Sequence, residues 1–244
     1  MDNTDSKPQV KQAPTRRATD SKPQIKLALT PQEREAIFSF RYQVYVDEMA
    51  KQLGYADHKR KMLTDEFDET ADLFMVELDG EVIATARLNH ADVTHFDDYW
   101  REVYKLDEWA DFSDSTITVN SRLMVAKEWR GTSILGSLVQ ELYRHLRERG
   151  TRFSFLNCAP SLVEFYEQLG YRRYTDGFVD EDVGYHVPVV FILDDTQYLK
   201  QVHSPFLRLA RKLPSDSSGT QWFEQRFPEH AAHINKRLID HENF

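Results

Sequence analysis

"EWRGTSILGSLVQELYRHL", residues 128–146, decides how the rest of the chain is read. It follows "STITVNSRLMVA" (115–126), whose β-branched and aliphatic residues predict a long strand. The quoted segment places Arg130-Gly131 at its start and then continues as a helix. A strand running into a loop at a helix start is a device for holding phosphate. The first N–H groups of a helix lack acceptors within it, and the dipole is positive there. Glycines normally let the backbone approach the anion, and here Ser133 and Leu135 stand where small residues are expected. Both still carry an N–H. The competing reading is a plain amphipathic helix that begins near Arg-Gly. The phosphate-loop reading is preferred, with Arg130, Gly131, Ser133, Ile134, Leu135 and Gly136 as its residues.

Working outward, "IKLALT" (25–30) predicts a first strand, and Thr30-Pro31 predicts a capped helix over "PQEREAIFSFRYQVYVDEM". Ile37, Phe40 and Val44 share one face of it. "DLFMVELDGEVIATARLNH" (72–90) is a hairpin: apolar residues alternate on both sides of Asp79-Gly80. "DDYWREVYKLDEWA" predicts a helix, "TRFSFLNCA" a strand, "SLVEFYEQLG" a helix, and "YRRY" and "YHVPVVFIL" closing strands. This order implies an α/β sheet with antiparallel members rather than a doubly wound nucleotide fold. No Gly-x-Gly-x-x-Gly follows a strand, which argues the same way.

"TDSKPQVK" (4–11) recurs as "TDSKPQIK" (19–26), and so polar a segment predicts a disordered tail over 1–24. The expected organisation is that tail, one domain over 25–198, and a helical C-terminal extension over 199–244. The net charge of −9 argues against a nucleic-acid binder, and no apolar run is long enough for a membrane span. The single Cys158 excludes a disulfide framework and a cysteine-rich metal site. His230 and His233 have only Glu229 nearby, so no metal is expected there or elsewhere. A cytoplasmic protein is expected. Between Arg122 and Arg152, however, seven Lys/Arg face three Asp/Glu, a local balance of +4.

"VNSRLMVAKEW", "RGTSILGSLV" and "FLNCAPSLVEFYEQLGYRRY" together resemble the GNAT acyltransferases. In that family a splayed strand ends in a pyrophosphate-binding loop, and a later Phe-Tyr-x-x-x-Gly-Phe/Tyr helix brings a tyrosine to the thioester sulfur. The matching positions are Phe165, Tyr166, Gly170 and Tyr171. Upstream, "FRYQVYVDEM", Asp65 and Asp68 in "DEFD", Arg87 in "ARLNH" and Arg122 in "NSRLMV" resemble the acyl-homoserine-lactone synthases. They also resemble the related long-chain N-acyl amino acid synthases. "DVGYHVPVVFILDD" and "HSPFLRLARKLP" fit the latter better. Val119 stands where lactone synthases place a glutamate, which disfavours lactone chemistry.

The resemblance implies a GNAT-like, mixed, largely antiparallel twisted sheet with flanking helices. It implies fatty acyl transfer from acyl carrier protein, or from acyl-CoA, to an amino acid or small amine. The donor is a phosphopantetheine thioester used as co-substrate, with no bound cofactor. A bulky loop suits the single phosphate of a carrier arm better than a coenzyme A pyrophosphate. Backbone N–H groups near Leu123, Met124 and Val125 are the expected oxyanion donors. Tyr166 is either the acid for the leaving thiolate or a half-buried core residue. The base is a water relay or Asp68. Arg41, Asp65, Arg87 and Arg122, with Asp68, either recognise the acceptor or pair as structural ions. Arg144, Arg147, Arg149 and Arg152 are the expected basic face for an acidic carrier. The alternatives are an acetyl-CoA N-acetyltransferase and a catalytically silent binding module of the same fold.

Overall fold

The computed structural model describes residues 21–180, 184–214 and 216–230. Most of the expected tail and the end of the extension, including His233, lie outside these residues.

The core element is the hairpin of β2 (Asp72–Leu78) and β3 (Glu81–His90). Its turn pairs Leu78 with Glu81, so Asp79 and Gly80 form a two-residue loop, both at positive φ (54° and 84°). That is the geometry an Asp-Gly pair favours, because its twist matches that of the strands. β1 (Gln24–Leu27) adds antiparallel to β2, and β4 (Ile117–Val125) adds antiparallel to β3. Then β5 (Phe153–Cys158) joins β4 in parallel, followed by β8 (Gly184–Ile192), with β6 (Tyr171–Arg173) and β7 (Phe178–Asp180) both antiparallel to β8. The sheet is therefore eight-stranded and antiparallel except at β4–β5.

Both faces of the sheet are buried, so strand alternation sorts residues between two apolar layers. From β2, Leu73 and Met75 pack with Ile37 of α1 (Pro31–Tyr42), while Phe74 and Val76 join Leu138 and Leu142 of α3 (Ser133–Arg149). From β5, Phe153 and Phe155 enter an aromatic cluster around Trp109, and Leu156 and Cys158 enter the main core. α1 carries the expected Thr30 cap, closed into a capping box with Glu33. It continues as a π-helical turn, Gln43–Glu48.

Two differences from the sequence reading have local causes. The predicted helix at 97–110 is a short α2 (Asp98–Val103) and a 3-10 turn (Leu106–Trp109), broken at Lys105, whose φ is 50°. β7 has no counterpart among the expected strands; its three residues are too few to carry a period. The extension expected from residue 199 shares the cores of the rest. It comprises α5 (Thr196–Gln201), α6 (Leu207–Ala210) and α7 (Ser218–Arg226). Phe206 and Ala210 lie in the main cluster, and Phe223 and Phe227 lie against Trp109. No helix among the described residues is long and apolar enough to cross a membrane.

Candidate active site

β4 and β5 pair only from Ile117 to Val119 against Phe153 to Phe155. Beyond that, β4 runs on with β3 to Val125 and β5 runs on with β8 to Cys158, so a gap opens between them. Asn120 marks its apex. Its Nδ2 donates to Ser154 Oγ (2.6 Å) and to the Tyr171 hydroxyl (3.0 Å). Both strand-to-helix connections, 126–132 into α3 and 159–162 into α4 (Val163–Leu169), leave from the open end.

A bulge shapes the β4 side. Thr85 pairs with Met124 and Arg87 with Ser121, so Arg122 and Leu123 together face the single residue Ala86. Arg122 takes φ 55°, an uncommon conformation for a side chain of that size. Farther along, Ala126 N donates to Ile83 O (2.8 Å). Because N–H directions alternate along a strand, the Val125 N–H points to the other edge, where β5 has departed.

The loop after β4 contains the expected residues, arranged differently for the arginine. Gly131 has φ 75°, Thr132 caps α3, and the N–H groups of Gly131, Ser133 and Leu135 have no acceptor among the described residues. Ser133 and Gly136 are exposed, while Ile134 is buried against the core. The Arg130 guanidinium is committed elsewhere. Nη1 and Nη2 donate to the two Glu48 oxygens (2.6 and 3.0 Å), and Nε donates to Val125 O (3.0 Å). This pair holds the Glu48 carboxyl below its usual range. Arg130 therefore clasps the π-helical turn to the loop rather than extending a free charge.

Across the gap, Tyr166 packs edge-on to Tyr171 (5.4 Å between centroids) and Phe165 (5.2 Å). Burial raises its phenol above the ordinary value, and so does nearby Tyr171. The hydroxyl makes no hydrogen bond among the described residues. Tyr171 is pushed up to about 12 by burial, and the buried Cys158 thiol to about 11. Cys158 is thus a protonated core residue and a poor nucleophile.

Arg41, Asp68, Arg87, Asp65 and Arg122 form one continuous chain of ion pairs. Arg41 Nη1 lies 2.7 Å from Asp68 Oδ1, and Arg87 Nη1 lies 3.2 Å from the same oxygen. Arg87 also pairs with Asp65 Oδ1, and Arg122 Nη2 reaches Asp65 Oδ2 at 2.7 Å. The Arg41 end is wholly buried, and the Arg122 and Asp65 side chains are 15% and 21% exposed, so the chain opens at that end. There Arg122 Nη2 also donates to the Tyr55 hydroxyl (3.0 Å), and its guanidinium lies 5.4 Å from the Tyr45 ring centroid. Burial opposes the Arg122 charge, but Tyr45, Tyr55 and Asp65 outweigh it and raise its pKa.

Asp68, the candidate base, lies within this chain of ion pairs. Its Oδ2 accepts from Thr64 Oγ1 and Asp65 N (both 3.0 Å), so both oxygens are fully engaged. Burial would raise its pKa, but the charges of Arg41 and Arg87 win and hold it at about 2. A carboxylate so placed takes up no proton near neutral pH.

The basic face expected on α3 is also largely cancelled. Arg144 pairs with Glu141, Arg149 with Asp92 and Arg152 with Asp216, while Arg147 donates to Pro214 O. Glu48, Tyr45, Tyr55 and Asn120 also belong to the site, and no local spacing marks them in the sequence. A cavity of about 670 Å3, lined by Phe96, Arg101 and Trp109, lies at the start of β4, away from the gap.

The parted strands, the loop and the aromatic helix define an acyltransferase of the GNAT fold. A family model described as N-acyl amino acid synthase FeeM matches residues 36–192, well over half of the chain. The chain belongs to that family, and its activity is N-acyl transfer of the kind carried out by FeeM and the acyl-homoserine lactone synthases. Among solved structures, FeeM from uncultured soil microbes, an N-acyl amino acid synthase, superposes with a TM-score of 0.59 at 11% identity. The match covers 78% of this chain and 98% of that one. The CoA-dependent acyl-homoserine lactone synthase MesI gives 0.57 at 18% identity, covering 79% and 97%. BjaI, of the same description, gives 0.57 at 14%, covering 77% and 88%. At such identities these likenesses speak for the fold. No curated protein matches the chain by sequence.

Proposed function

We propose that this protein transfers a medium- or long-chain fatty acyl group from acyl carrier protein to the amine of an amino acid or small amine. The observation that carries the reading is the β4–β5 gap, flanked by the loop N–H groups of Gly131, Ser133 and Leu135 and by Tyr166. The phosphate of the pantetheine arm sits on the loop, where free N–H groups and the helix dipole offset its charge. The thioester then lies between the strands, its carbonyl oxygen meeting the Val125 N–H as charge develops. Partly buried Leu123, Leu135 and Phe165 give the acyl chain an apolar surface. Tyr166, kept protonated by burial, donates to the departing thiolate.

The acceptor approaches from the open end of the ion chain. Arg122 and Tyr55 contact its carboxylate, and Asp65 its ammonium, while Arg41, Asp68 and Arg87 hold those two residues in place. With every carboxylate of the chain engaged, the ammonium loses its proton through water. The bulk of Ser133 and Leu135 favours a carrier arm over coenzyme A. Lys127, exposed beside the loop, replaces the α3 arginines as the cation nearest a docked carrier.

The test is turnover of matched acyl-carrier-protein and acyl-CoA thioesters with a panel of amino acids, followed by mass spectrometry. N-acyl amino acid formed faster from the carrier thioester supports the reading. Faster use of short-chain acyl-CoA would move the protein to the acetyltransferases. Thioester binding without product would make it a silent module.

A further inference from the structure

We infer that Asp72, His90 and His145 form a site for a first-row divalent cation, with zinc(II) best suited to the donor set. The site is separate from the acyl-transfer reading and departs from the expectation that the chain holds no metal. The three residues come from three elements: the start of β2, the end of β3 and the C-terminal third of α3. One ligand atom from each lies within 4.8 Å of the other two. His90 Nε2 is 3.1 Å, and His145 Nε2 2.7 Å, from the same oxygen, Asp72 Oδ2. Asp72 Oδ1 has no partner among the described residues. Two imidazoles held only by hydrogen bonds have two oxygens to share, and both converge on one. Imidazole nitrogen with carboxylate oxygen is a common zinc donor set.

The spacing suits insertion. A tetrahedral zinc with bonds of about 2.0–2.2 Å separates its ligand atoms by roughly 3.3 Å. The two imidazole–carboxylate separations, 3.1 and 2.7 Å, fall short of that value by roughly 0.2 and 0.6 Å, so outward shifts of a few tenths of an ångström by each group admit the cation there. The orientation of the rings is also fixed from behind. His90 Nδ1 lies 2.8 Å from Thr118 Oγ1, which lies 3.1 Å from Thr151 Oγ1. This hydroxyl pair can donate to Nδ1 or accept from it, so His90 can release the Nε2 lone pair to a cation without stranding its other nitrogen. The Phe74 ring packs edge-on against His145 at 5.0 Å. His90 is buried, while the Asp72 and His145 side chains are 29% and 28% exposed, giving the cation an entry and a position for water.

His145 lies twelve residues along α3 from Ser133, roughly 18 Å from the loop at 1.5 Å per residue. A cation here clamps the C-terminal third of α3 to the β2–β3 hairpin and takes no part in the transfer chemistry.

The test uses the full chain after removal of metal with a chelator. Zinc(II) is titrated against a chromogenic competitor, and cobalt(II) is added separately to look for visible d–d absorption. The comparison variants are Asp72→Asn and His145→Gln; glutamine keeps a hydrogen-bond donor for Asp72 but offers no imidazole. The expected result is one tight zinc per chain, a cobalt spectrum of low coordination number, and a melting temperature that rises with zinc. Both variants should bind at least about tenfold more weakly. No tight zinc in the wild type, or binding insensitive to both substitutions, would overturn the site and leave a hydrogen-bonded clamp. Should a variant not fold, the wild-type cobalt spectrum decides, and its absence refutes the site.

Discussion

Replacing Asp68 with asparagine tests whether the ion chain is held by charge. The Asp68→Asn change keeps the side-chain shape but removes the charge that compensates Arg41 and Arg87, whose side chains are 0% and 4% exposed. It also puts an NH2 where donors already point, either at the two arginines or at Thr64 Oγ1 and Asp65 N. Arg41 suffers most. Among the described residues its Nε and Nη2 already lack partners, and Asp68 supplies its one carboxylate. A carboxyl held at about 2 when folded, against roughly 3.9 when unfolded, corresponds to about 2.5 kcal/mol at neutral pH. Breaking one side of a buried pair costs about 3–5 kcal/mol. An expected loss of about 3 kcal/mol lowers the melting temperature by roughly 6–12 °C in a chain of this size. The sign with pH follows from the direction of the shift. The folded value lies below the unfolded one, so the contribution is complete above about pH 4 and is lost as pH falls through about 2. Urea unfolding of wild type and Asp68→Asn, followed by tryptophan fluorescence from about pH 7 down to about pH 2, measures both features. A loss below about 1 kcal/mol at neutral pH, or a gap that stays constant down to about pH 2, refutes the charge argument.

Tyr166→Phe should lower kcat by roughly 10²–10⁴-fold with the donor KM little changed, since only the phenolic proton is lost; equal kcat returns Tyr166 to the core. Arg130→Ala removes a half-exposed pair worth about 0–1 kcal/mol, so it should move the melting temperature by no more than about 4 °C while raising the donor KM. An unchanged KM would leave Arg130 a fastening of Glu48 alone. Gly170→Ala should cost roughly 3 kcal/mol in thermal unfolding. The Gly170 φ is 118°, and a Cβ would lie 2.5 Å from Leu199 Cδ2 and 2.6 Å from Phe191 Cε2. A wild-type melting temperature in that variant would show that α5 yields freely. Leu135→Gly should improve acyl-CoA turnover more than acyl-carrier-protein turnover, and no change in their ratio would sink the claim that loop bulk selects the donor.

The strands and the loop are legible in the sequence because their signals are local. Asp79-Gly80 fixes a hairpin within four residues, and Thr30 with Pro31 marks a helix start within two. What is not legible depends on partners distant in the chain. Arg130 looks like a phosphate arginine until Glu48, 82 positions away, occupies it. Arg144, Arg149 and Arg152 form a basic run in the sequence, but Glu141, Asp92 and Asp216 cancel it in space. Short spacing is what marks metal ligands along a chain, and a set drawn from β2, β3 and α3 has none. Two-sided burial of β2 also hides Leu73 and Met75 beneath α1, where simple alternation assigns one face to solvent.

The extra residue on β4 links the two halves of the site. Arg122 and Leu123 oppose Ala86 alone, so the strand is one residue longer on the side facing the gap. An extra residue increases local twist and bends the strand that carries it. β4 therefore turns away from β5 just past Val119, the last paired position, and the gap between the strands follows from the bulge. The same left-handed φ at Arg122 aims its side chain at Asp65 and Tyr55 instead of at the next strand residue's neighbours. One backbone irregularity thus opens the gap and sets Arg122 beside it, which is where the proposed function seats the donor and the acceptor. The uncommon conformation is held by the pairs to Asp65 and, through Arg87, to the buried Asp68. Loosening the ion chain should therefore blunt acceptor binding and widen the gap together.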